Sequence, residues 1–188
     1  MSSVATGGEV ATRGPPGPWS WRSEHPTIRD VYEASVAVHV AAAVVGFGAT
    51  FSYPVIQVLA ERRHRHALPF AHAAILAISR WVAVPATVVV GATGLYQVAA
   101  GPYGLRELWV ALGLTLYLGV MAVATAYLAP AYGRARTAAQ EMLAAASPGE
   151  PLPLSPAYRA ATRGVNVVGP LVALAVLAIV ALMVVKPG

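Results

Sequence analysis

Cysteine is absent from this chain of 188 residues and charge is scarce: 11% of the residues are Asp, Glu, Lys or Arg, whereas 57% are hydrophobic. Without cysteine there are no disulfides, thiolate metal sites or cysteine nucleophiles. The four methionines, Met1, Met121, Met142 and Met183, are too scattered to suggest a soft-metal cluster. A soluble domain carries about 25% charged residues, so this chain cannot cover itself with polar surface and lipid is its expected solvent. The first 30 residues lack the apolar run of a signal peptide, and Gly14-Pro15-Pro16-Gly17-Pro18 breaks any helix there. Residues 1–29 therefore read as a flexible tail. The formal charge of +5 gathers at the ends of apolar runs and not on one continuous face, which argues against a nucleic-acid partner.

A helix needs about 20 apolar residues to cross about 30 Å of hydrocarbon. Four stretches meet that length, at about 31–59, 81–100, 105–129 and 165–185. The predicted fold class is all-α, a polytopic four-transmembrane-helix bundle filling residues 30–187, with no internal repeat. Thr27 and Asp30 are N-cap candidates for the first helix. Arg80-Trp81 suits a headgroup boundary, so residues 67–80 read as an interfacial stretch ahead of the second span. The turn Gly101-Pro102-Tyr103-Gly104 makes the second and third helices antiparallel neighbours. The third span covers about 105–129 and meets Pro130. Residues 131–146 continue with helical composition but carry Arg134, Arg136 and Glu141, Ser147 to Pro156 interrupts the helix, and 131–164 is taken as the inner loop. Links 1–2 and 3–4 carry Arg62, Arg63, Arg65, Arg134, Arg136, Arg159 and Arg163, whereas the other side has Arg22, Arg29, Arg106 and Lys186 near the spans. The positive-inside rule then places both termini outside a bacterial inner membrane.

His39 is the one histidine well inside an apolar span. Tyr32, Ser35, His39, Ala42, Gly46, Ala49 and Tyr53 follow steps of three and four, so they share a stripe of small and polar residues expected to face other helices. An ionisable group in hydrocarbon is a functional candidate by default, and an imidazole can ligate haem iron or relay a proton. The plainer alternative is a hydrogen bond to Ser35, a tyrosine or a carbonyl. Gly46, Gly48, Gly91, Gly94, Gly113 and Gly119 allow close helix approach, or room for a flat cofactor. Pro54, Pro85 and Pro170 are expected to kink their helices. In Arg62-Arg63-His64-Arg65-His66 three arginines repel a metal cation and attract anionic headgroups, while Arg80 is expected to snorkel to the interface. His72 falls about 20 Å from His39 along the membrane normal, too far for both to ligate one haem.

The run from His39 through Gly46, Gly48 and Phe51 to Pro54, followed by Arg80, Pro85, Gly91 and Gly94-Leu95, resembles the first two helices of the bacterial membrane protoporphyrinogen oxidase family. That resemblance implies haem b with His39 as axial ligand, and Gly46, Gly48 and Tyr53 as its surroundings. Trp109 is followed by Val110-Ala111-Leu112-Gly113, without the lysine which that family carries there. Over residues 33–136 the chain is at least as similar to uncharacterised bacterial four-helix predicted integral membrane proteins, to which the oxidase family is distantly similar. The expected protein is thus an integral membrane protein of unknown activity with His39 as a candidate haem b ligand, or alternatively a non-enzymatic membrane module or assembly subunit without a cofactor, with a protoporphyrinogen-oxidase-like oxidoreductase as the second alternative. Its expected partners are the bilayer, anionic headgroups at the inner links and a second copy of the chain. A transporter ranks last, because no Asp, Glu or Lys lies inside a span core.

Overall fold

The structure is a computed structural model that describes residues 27–147 and 152–187, and every element among them is helical. Most of the tail read from the sequence lies outside the described residues. The first element, α1 (Ile28–Thr50), begins on a capping box: the Thr27 hydroxyl accepts from the Asp30 amide and the Asp30 carboxylate accepts from the Thr27 amide. It runs almost straight into α2 (Ser52–Arg63), interrupted only at Phe51, three residues ahead of Pro54. After a single 3₁₀ turn at Arg65–Ala67 come α3 (Leu68–Ile78), a π-type stretch at Ser79–Ala83 and α4 (Val84–Ala100). Then follow α5 (Leu108–Val123), a second π-type stretch at Ala124–Leu128, α6 (Ala129–Ala144) and finally α7 (Pro156–Val185).

These elements join into four long helices, Ile28–Arg63, Arg65–Ala100, Leu108–Ala144 and Pro156–Val185, each apolar enough to cross a membrane. The first three have 36, 36 and 37 residues. At about 1.5 Å per residue they reach roughly 54 Å, well beyond the roughly 30 Å of hydrocarbon. Two boundaries read from the sequence therefore move. The third helix runs past residue 129 to Ala144, in keeping with the helical composition of 131–146, and the π-type stretch before Pro130 absorbs the clash of its ring with the Ala126 carbonyl. The stretch 131–164 is mostly helix as well, with α7 beginning at Pro156 under a Ser155 cap. Residues 67–80 are continuous in helix with α4.

The four helices run antiparallel in sequence order. At one end α3 packs on α6 and α6 on α7; toward the other α1 packs on α4 and α5 on α7. The first of these ends holds the well-packed core, where Leu68, Ala135, Ala139 and Tyr158 are fully buried. It also carries Arg62, Arg63, Arg65, Arg134, Arg136, Arg159 and Arg163, all exposed. At the opposite end Lys186, in left-handed conformation after α7, lays its ammonium over the rings of Tyr103 and Trp109 at 4.8 and 5.5 Å. That cation–π contact ties the end of α7 to the link between α4 and α5.

Candidate functional site

Prolines recur at one level of the bundle, and this shapes its interior. A proline ring collides with the carbonyl four residues earlier, so a helix carrying one must open or bend. Pro54 follows the break at Phe51, Pro85 and Pro130 follow the two π-type stretches, and Pro170 lies inside α7. Between these irregular segments lies a cavity of about 620 Å³ to which all four long helices contribute. The π-type stretches supply Ser79, Ala83, Ala124, Thr125 and Leu128 to its wall. Such bulges are frequent at functional sites because they redirect side chains and hold helices apart.

The wall is mainly apolar, with Phe47, Val120 and Val176 packed at one end, where they form a small core of their own. Its other end is polar. Gln57, 3% exposed, donates both amide protons, to Glu61 Oε1 at 2.9 Å and to Asn166 Oδ1 at 3.0 Å. Glu61 also accepts from the Tyr158 hydroxyl at 2.9 Å, and that oxygen lies 3.0 Å from His72 Nε2. His72 and Tyr158 are both completely buried. Because the Tyr158 proton goes to Glu61, His72 donates from Nε2, which leaves Nδ1 as an acceptor that is buried without a partner. The Tyr132 ring lies between Tyr53, which it meets edge to face, and His72, tilted against it, with centroids 6.2 and 5.9 Å away. The Tyr53 hydroxyl is buried and unpartnered; Ser79 stands close to it, outside hydrogen-bond geometry.

This network is the feature that sequence reasoning missed. The sequence marks His39 as the histidine deepest in an apolar span, yet it is only partly buried, while His72 is fully enclosed. A legible signal existed in Tyr53, Gln57 and Glu61, four residues apart on one face, and in Tyr158, Thr162 and Asn166 at the same spacing on α7.

The His39 stripe lies against α4. His39 Nδ1 is 2.9 Å from the Thr93 hydroxyl, a Cβ on Gly94 would stand 3.2 Å from the His39 ring, and Gln97 donates to the Ser35 carbonyl at 3.3 Å. Tyr32 crosses beside Gly101 and Gly46 meets Ala86. The four residues expected around a haem do not share one space. His39 does not line the cavity, Gly46 is closed off by α4, a Cβ on Gly48 would meet nothing, and Tyr53 lies about 21 Å from His39 along the helix. The structure does not bring these four residues together in one pocket. Of the other glycines, Gly91 receives Tyr117, whose hydroxyl donates to the Thr87 carbonyl, and Gly113 receives Met183, while a Cβ on Gly119 would meet nothing. The Arg80 guanidinium lies 5.7 Å from the Trp81 ring, and both side chains are exposed on the outside of the bundle. Among the described residues no group of His, Asp and Glu is placed to hold a metal ion.

Residues 34–187 match the family described as "Predicted integral membrane protein (DUF2269)". The chain belongs to this family. Membership agrees with the resemblance to uncharacterised membrane proteins and with the four apolar helices; no likeness to the protoporphyrinogen oxidase family is shown. No curated protein and no solved structure matches the chain.

Proposed function

We propose that this integral membrane protein is a non-enzymatic binding module whose cavity holds a small apolar molecule from the bilayer. The observation that carries this reading is the coincidence around one cavity of three helix irregularities, each just ahead of a proline, with a fourth proline, Pro170, inside the unbroken α7. A bundle that only had to span the membrane would gain dispersion energy by closing such a void, since unfilled interior space costs about 24 cal/mol per Å³. The size also falls in the range of small-molecule sites, about 300–1,000 Å³. Native mass spectrometry of the chain released from mild detergent is the test. The wild type is expected to carry a lipid-like adduct, and Ala124→Phe with Ala173→Phe, which fill the cavity from α5–α6 and α7, are expected to lose it. An adduct retained in full by the filled variant would refute the proposal.

His39 in this reading is a packing residue that joins α1 to α4 through Thr93. The purified protein is expected to show no Soret band, and His39→Gln, which keeps a hydrogen-bonding side chain, to retain wild-type thermal stability within about 1 kcal/mol. A Soret band abolished by His39→Ala would restore the haem reading. The arginine-rich end is proposed to face the cytoplasm and its anionic headgroups, each basic residue contributing about 1 kcal/mol near such a surface. A single cysteine at Thr137 is expected to resist a membrane-impermeant maleimide in intact cells, and one at Tyr103 to react; the reverse pattern would invert the orientation.

A further inference from the structure

The chemistry of the cavity wall narrows what it holds. No Asp, Glu, Lys, Arg or His lines it, so an ionised headgroup inside would be desolvated without a counter-charge. The threonines offer little, because Thr50, Thr87 and Thr125 donate their hydroxyl protons to the Phe47, Val84 and Met121 carbonyls of their own helices. Gln57 and Asn166 differ. Gln57 has spent both amide protons, which leaves its carbonyl oxygen, and Asn166 is held through Oδ1, which leaves its NH₂ group. The pair thus offers one acceptor beside one donor at the polar end, while Phe47, Val120 and Val176 form the apolar end. The pair is also held fast: Gln57 is braced by Glu61, which Tyr158 braces in turn.

We propose that the cavity takes an uncharged single-chain amphiphile, with its hydroxyl or carbonyl head on Gln57 and Asn166 and its hydrocarbon chain toward Phe47 and Val176. This rests on the reading of the cavity as a binding site. A hydroxyl matches the pair best, since it accepts from the Asn166 amide and donates to the Gln57 carbonyl. Such a molecule comes from two sources, partial glycerides and isoprenoid alcohols, which share this head chemistry.

The test is equilibrium binding of radiolabelled monoolein, farnesol and oleate to the full chain in nanodiscs, in alkaline buffer that keeps oleate ionised. Monoolein and oleate share one acyl chain and differ in head charge. Monoolein or farnesol is expected to bind saturably and at least roughly tenfold more tightly than oleate, given the several kcal/mol an unpaired buried charge costs, and the tighter of the two identifies the source. Asn166→Leu is expected to weaken the preferred alcohol roughly fivefold, the scale of one net hydrogen bond, and to leave oleate unchanged. Oleate binding the wild type as tightly as both alcohols, with no binding to the cavity-filled variant, would overturn the headgroup assignment and leave the cavity reading standing. Equal alcohol binding by the wild-type and filled proteins would overturn both. The comparison of the three probes on the wild type needs no variant to fold.

Discussion

Tyr158→Phe is expected to be among the most damaging single-atom changes in this protein. It removes the oxygen that accepts from His72 Nε2 and donates to Glu61. His72 is fully buried and already leaves Nδ1 without a partner, so the lost contact has no water to replace it. Each buried polar group left unsatisfied costs about 1–3 kcal/mol, and two groups are affected. Equilibrium unfolding in mixed micelles measures this. The double variant Tyr158→Phe with His72→Leu is expected to recover part of the loss, because an apolar pair leaves fewer groups orphaned than a broken polar one. Strictly additive losses would mean that the two side chains do not act as a unit.

Gly46→Leu is the second large effect. A Cβ at Gly46 would stand 2.9 Å from the Ala86 Cβ and 3.5 Å from the Thr87 backbone nitrogen, neither of which can swing away. Larger side chains must therefore part α1 from α4, at about 1–3 kcal/mol or more by the scale of overpacked cores. Gly164→Ala is the instructive contrast. Its Cβ would collide with the Tyr127 hydroxyl, but that is the far end of a rotatable side chain that is 40% exposed. The same melting assay is expected to show Gly164→Ala nearly neutral beside Gly46→Leu.

The four-helix architecture was legible because about 20 apolar residues in a row have few alternatives in water or lipid. The cap at Thr27 was equally readable, since the Thr and Asp spacing satisfies two helix-end donors at once. The helical composition of residues 131–146 was readable too, but not what holds it. Ala129–Ala144 is too polar to register as part of a span, yet it is held as helix by the burial of Ala131, Ala135, Ala138 and Ala139 against its neighbours. The π-type insertion ahead of Pro130 depends on tertiary space and leaves no mark in local sequence. The His39 stripe was visible as periodicity, but periodicity says only that the stripe faces something, and here that is α4. The cavity was hidden for a similar reason. Four prolines far apart in the chain become one feature only when an antiparallel bundle brings them level.

The central claim is that the irregular segments of three helices, packed against Pro170 of the fourth, keep a space open for a bound apolar molecule. An experimental map of the chain in a lipid nanodisc tests it most directly. The account predicts elongated density between Phe47 and the Gln57–Asn166 pair, with the π-type stretches at Ser79–Ala83 and Ala124–Leu128 intact. Regular α-helices closed tightly on one another at that level, with no space between them, would contradict it.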